Sequence, residues 1–292
     1  MHVRSLGPAG LVSSAVGLGT GAFTGAYGPV TKHECVRVIR LAVDMGVTMI
    51  DTADFYARGE IERLLGESLA RRHGDALIAT HGGVRAAPRG EPLVIDGSPA
   101  YLAKACEASL RRLRTDCIDL FYLSRVDPHI PVEESVGKLA ELVAAGKIQY
   151  VGLCEASAED LRRAQTVHPI SVLAVEYSLR QRSAERMTLA AAADLGVGVV
   201  AYCPLARGLL TGSASYAVSA REQSALRAVG DRAAELDVGI TRLALAWLLE
   251  WRSDVVPVPG TRSLAHLEMN ASVSDICLPP EICSRLAELF PT

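Results

Sequence analysis

Eight short apolar runs, each separated from the next by a helical or loop segment, divide this chain and constrain its fold more than any other feature. The runs cover residues 14–18, 47–51, 76–80, 117–123, 148–153, 171–176, 197–202 and 254–258. Between them, residues 34–45, 61–72, 101–113, 132–145, 158–167 and 184–195 carry apolar side chains at helical spacing. Gly46, Gly74, Gly146 and Gly196 stand as helix stops before the next run. The runs are continuously apolar rather than alternating, as Val197-Gly198-Val199-Val200-Ala201 shows, which fits a parallel sheet covered on both faces. Eight such strands predict an α/β fold, a (β/α)8 TIM barrel. Residues 3–13 carry turn residues between two β-prone pieces and read as an N-terminal hairpin plugging one mouth, and a helix ends the chain. No Pro/Gly/Ser linker interrupts the pattern, so residues 1–292 are read as a single domain.

A hydrophobic content of 49% against 22% charged residues supports a large core and argues against disorder. Thirty basic against 33 acidic residues, with no basic stripe, argue against a nucleic-acid partner. Cys35, Cys106, Cys117, Cys154, Cys203, Cys277 and Cys283 lack Cys-x-x-Cys spacing, so the reading is a reducing cytoplasm, no disulfide framework and no metal. No signal peptide and no apolar run near the roughly 20 residues of a membrane span is seen, so no membrane partner is expected. Nothing in the sequence distinguishes a self-association face, and the partner expected is a small-molecule substrate.

In such a barrel, chemistry is built where strands end, which selects Asp51, His81, Ser124, Cys154, Glu155, Glu176 and Tyr202. The segment Ile50-Asp51-Thr52-Ala53-Asp54-Phe55-Tyr56 sets a carboxylate and a phenol just after a buried strand, a pair that can hold and pass a proton. The structural alternative is that Asp51 caps a turn and Tyr56 packs on the rim. Cys154 and Cys203 read as packing residues, since no base is evident beside them, and His129, His168 and His266 form no metal-like cluster. The connection 82–99, with Arg85 and Arg89, reads as a substrate-selecting loop or a solvated one.

The stretch 46–56, followed by residues 62–69, resembles the signature of the aldo-keto reductase family. Similar motifs continue at 97–101, 108–113, 116–122, 125–128, 146–153, 201–212 and 257–262. The resemblance implies a (β/α)8 barrel and an ancestry in NADPH-dependent carbonyl reduction. It implies that Tyr56 donates a proton to the nascent alkoxide and that Asp51 pairs with a lysine that eases the donation. That lysine is replaced by His81, and the family's histidine by Ser124. For NADP(H), it implies a groove of Cys154, Tyr202, Pro204, Leu205, Arg207, Gly208, Gly260, Thr261, Arg262 and Asn270, with Arg262 on the 2′-phosphate. Cys154, Ala174 and Met269 stand where the family has polar anchors, and the segment 212–239 is short. Arg180 replaces a large aromatic and admits an anionic or polar substrate.

These departures rank three readings. The first is a rebuilt acid/base centre of Asp51, Tyr56, His81 and Ser124 performing non-redox proton transfer on a small carbonyl or hydroxyl compound: dehydration, isomerisation or cyclisation. The second is an NADPH-dependent carbonyl reductase in which His81 stands in for the lysine, with a pH optimum shifted toward acid. The third is a non-catalytic barrel that binds a dinucleotide or metabolite.

Overall fold

Twelve strands and ten helices are seen in the computed structural model, which describes residues 2–70, 72–85, 93–212 and 217–291. The hairpin is β1 (Val3–Leu6) and β2 (Leu11–Ser14). The barrel strands are β3 (Leu18–Gly19), β4 (Met49–Asp51), β5 (Leu77–Gly82), β8 (Ile118–Leu123), β9 (Ile148–Cys154), β10 (Ile170–Glu176), β11 (Gly198–Tyr202) and β12 (Val255–Pro257). They form one parallel sheet in that order, and a parallel bridge from Gly19 to Gly260 brings its two edges together. The helices are α1 (Lys32–Asp44), α2 (Glu60–Ser68), α3 (Pro99–Leu113), α4 (Val132–Ala144), α5 (Ala158–Gln165), α6 (Thr188–Asp194), α7 (Ala220–Glu235), α8 (Ile240–Trp251), α9 (Leu264–Ala271) and α10 (Pro280–Leu289). This is the (β/α)8 architecture read from the apolar runs.

The core has two layers. Outside the sheet, helix faces pack on the strands, and Trp247 of α8, wholly buried, donates its indole N–H to the Cys283 carbonyl of α10 at 3.0 Å. Inside, Met49, Leu77, Leu120, Val172, Val200 and Val256 meet Leu6 and Leu11 of the hairpin. Burying each of those two leucines contributes about 1.5–3 kcal/mol, so the hairpin acts as a plug. Gly198 makes room for it: a Cβ there would lie 2.7 Å from the Leu6 Cα.

Several boundaries differ from the periodicity. The run 14–18 joins two elements, because Ser14 closes the hairpin, where its hydroxyl accepts from the Thr48 N–H at 3.0 Å, while the barrel strand is only Leu18–Gly19. The helix expected over 184–195 begins only at Thr188, after a short 3-10 turn and a break at Met187. Within 82–99 the structure adds a small hairpin, β6 (Val84–Arg85) and β7 (Val94–Ile95), where Arg85 pairs with Asp96 at 3.3 Å. Arg89 lies outside the described residues, as does part of the short segment 212–239.

The parity of β5 orients the site. Thr80 points outward and donates to Glu62 of α2 at 2.7 Å, and Glu62, fully buried, takes the Arg112 guanidinium of α3 at 2.6 Å. His81, one residue on, therefore faces the barrel interior.

Candidate active site

Asp51 ends β4 and is 7% exposed, its carbonyl accepting from the Thr20 hydroxyl at 2.9 Å. One strand over, His81 Nε2 stands 3.5 Å from Asp51 Oδ2, an ion-pair separation too long for a good hydrogen bond. Burial pushes the imidazole's pKa down most strongly of any single influence. The neighbouring Asp51 and Cys154 act in the opposite direction, and the net shift of His81 is above its ordinary value.

Tyr56 opens the turn Tyr56–Gly59, in which Ala57 and Arg58 take left-handed backbone angles of 46° and 57° in φ. Non-glycine residues hold such angles at a cost, and strain of this kind clusters where a side chain must be aimed. The Tyr56 hydroxyl lies against Gly21, and burial, then the charge of Asp51, push its pKa upward, so it keeps its proton. Ser124 follows β8, with its N–H bonded to the Gly82 carbonyl at 2.8 Å. Among the described residues its buried hydroxyl has no hydrogen-bond partner, and neither does Asp51 Oδ2, which has only the ion-pair contact with His81. Unsatisfied buried polar atoms cost roughly 1–3 kcal/mol each and are uncommon inside folded proteins.

Three neighbours escaped the sequence reading. Tyr122 lies under His81, with ring centroids 4.3 Å apart and planes 23° from parallel, and its hydroxyl is also unpartnered. It sits two residues before Ser124, so period-2 counting along β8 could have placed both on one face. Arg125 donates to the Ser124 carbonyl at 2.8 Å and to Cys154 Sγ at 3.1 Å, so the thiol has a cation beside it despite the packing role read from sequence. The third is Asp54, whose N–H bonds to the His81 carbonyl at 3.2 Å and whose Oδ1 has no partner. Burial, then the charge of Glu62, push its carboxyl up to about 7.

Asp54 predicts a pH-dependent stability. Its folded pKa lies above the ordinary carboxyl value of 3.8, so the folded state holds a proton the unfolded chain has lost. That stabilisation is present below about pH 4 and is lost as pH rises through about 7. Asp54→Asn should therefore be more stable than the wild type at pH 8, by about 1–3 kcal/mol after allowance for partial solvent screening, with the gap closing toward pH 4. Urea melts at both pH values check this, and equal differences at the two would remove Asp54 as the cause.

The residues read as a cofactor groove fall on neighbouring elements. Cys154 ends β9, and Tyr202 ends β11, its hydroxyl donating to Glu155 at 2.6 Å. Pro204 and Leu205 lead into a turn where Ala206, Arg207 and Gly208 all have positive φ, and Arg207 pairs with Glu176 at 2.7 Å. Gly260 lies at the barrel seam, Thr261 is buried, and Asn270 on α9 is 3% exposed. Arg262 donates to the carbonyls of Tyr27 and Pro29. Arg180 pairs with Glu222 at 2.7 Å.

The sequence profile of the Aldo/keto reductase family matches residues 15–290. The chain belongs to the aldo/keto reductase family. It is similar to "Probable aldo-keto reductase 1" of Glycine max, 36% identical over 306 residues, covering 98% of this chain and 88% of that protein. Among solved structures it resembles the glycerol dehydrogenase AKR11B4 from Gluconobacter oxydans, with a TM-score of 0.89, 26% identity and coverage of 98% and 94% of the two chains. The holo form of the aldo-keto reductase AKR11C1 from Bacillus halodurans superimposes with a TM-score of 0.87 at 27% identity, covering 100% and 97%. This aldo/keto reductase thus has the fold of an oxidoreductase family acting on small molecules. Among its described residues, no helix is long and apolar enough to cross a membrane.

Proposed function

We propose that this protein is an NADPH-dependent reductase of a small carbonyl compound in which His81, as an imidazolium, does the work of the family's lysine. The observation that carries the reading is the buried contact of His81 Nε2 with Asp51 Oδ2 at 3.5 Å. The non-redox reading ranked first from the sequence rested on a site lacking a cation. On the present reading His81, raised by its neighbours, supplies one.

The groove fits a dinucleotide in its phosphate half. Consecutive left-handed residues at 206–208 shape a strained turn beside the exposed Arg207, and the half-buried Arg262 lies in the loop beyond β12, held by the carbonyls of Tyr27 and Pro29. Tyr202, Arg207, Gly208, Gly260, Thr261, Arg262 and Asn270 would hold the cofactor. When bound, it supplies a hydride. The chain's own residues then handle the proton. Tyr56 gives its phenolic proton to the oxygen of the reduced carbonyl, the His81 charge offsets the phenolate left behind, and Asp51 holds His81 in place. The Ser124 hydroxyl, free of any other bond, donates to the same substrate oxygen.

On this reading, the upward shift of His81 predicts activity that persists through neutral pH and falls on the alkaline side, where the sequence alone suggests an optimum shifted toward acid. The test is calorimetric titration with NADPH, followed by NADPH consumption with a panel of small aldehydes and ketones. Binding and substrate-dependent consumption are expected; a protein that binds no NADPH overturns the reading.

A further inference from the structure

We propose that Tyr122 is a positioning residue that keeps His81 protonated and aligned on Asp51, acting through the face of its ring and not through its hydroxyl. This rests on the reading that His81 is the site's cation. In the sheet, Tyr122 is in register with His81 on β5 at one side and with Gly152 on β9 at the other. A side chain at Gly152 would put a Cβ 2.4 Å from Tyr122 Cδ1 and 2.5 Å from Cε1. Glycine there is what allows the ring to lie across β9 and turn its face to the imidazole, 4.3 Å away. The ring is wholly buried and its hydroxyl has no hydrogen-bond partner among the described residues, so what Tyr122 offers His81 is its π face.

An aromatic face carries partial negative charge and attracts a cation set over it. A lysine ammonium reaches its partner as a point charge, but a flat imidazolium gains from a flat neighbour that also fixes its plane. The other groups facing His81 are Asp51 from β4, Asp54 from the loop after it and Cys154 from β9, with Arg125 bonded to that sulfur. Both carboxyls favour the charged ring when ionised, whereas burial and the nearby guanidinium oppose it. Tyr122 adds a neutral contribution on the side of the charged ring while leaving Asp51 free to bind.

The experiment is an NMR titration of the His81 ring in the full-length protein, with the resonance assigned by its absence in His81→Asn. In the wild type, the stacked phenol shifts the His81 ring protons upfield. Tyr122→Phe should keep both that shift and the titration midpoint. Tyr122→Leu should lose the shift and lower the midpoint by about 0.4–1.5 units. Gly152→Ala, which keeps the phenol but displaces its ring, should lower it too and serves where Tyr122→Leu does not fold. The alkaline limb of kcat should move with the midpoint. An unchanged midpoint in Tyr122→Leu and Gly152→Ala, or a fall in Tyr122→Phe as large as in Tyr122→Leu, overturns the proposal. If the midpoints behave as stated while no variant or wild type consumes NADPH, the reductase reading fails and the role of Tyr122 stands.

Discussion

His81→Ala is expected to lower kcat for carbonyl reduction by roughly 10²–10⁴-fold, the contribution of an assisted general acid, while His81→Lys keeps most of the activity. The reasoning is electrostatic. Tyr56 is already pushed upward by burial and by Asp51, so its proton leaves only if a neighbouring cation stabilises the phenolate. Alanine removes that cation and leaves the buried Asp51 carboxylate unpaired. Lysine restores a cation whose charge persists further into the alkaline range, so its kcat profile should fall at higher pH than that of the wild type. Steady-state kinetics across the pH range, with thermal melts to confirm folding, check the pair. Near-wild-type activity in His81→Ala would place the source of catalysis elsewhere.

Tyr56→Phe should cost as much, about 10²–10⁴ in kcat, with little change in NADPH affinity. The ring would still pack edge-on against Phe55, where the centroids are 5.1 Å apart, so the fold loses only a hydroxyl. The double variant Tyr56→Phe with His81→Ala should be scarcely worse than either single one, because both act on one proton. Additive losses would mean that the two side chains serve different steps. Calorimetry on Tyr56→Phe separates lost chemistry from lost binding.

Much of this was legible in the sequence, and the physical reasons for the rest are specific. The barrel follows from period alone, because strands such as Gly198–Tyr202, covered on both faces, read as unbroken apolar runs between helices. The short strand Leu18–Gly19 does not, since the apolar character of the hairpin runs into it without a polar break. Asp51, His81 and Ser124 stand out in the sequence because each closes a run. Tyr122 was not, because it lies inside its strand, and only cross-strand register reveals that it faces His81. Arg125 and Cys154 are 29 positions apart, and their 3.1 Å contact depends on β8 and β9 being neighbours. Likewise, no pattern in the sequence shows that Arg262 reaches the carbonyls of Tyr27 and Pro29, because that contact joins segments more than 230 positions apart.

The proposed proton transfer depends on the charge of one ring, and carbon and nitrogen chemical shifts of His81 in the cofactor-bound protein at mildly alkaline pH read that charge directly. The shifts of an imidazolium, retained where an ordinary exposed histidine has lost its proton, are the predicted result. A neutral His81 under those conditions would contradict it and leave Tyr56 without the partner its proton transfer requires.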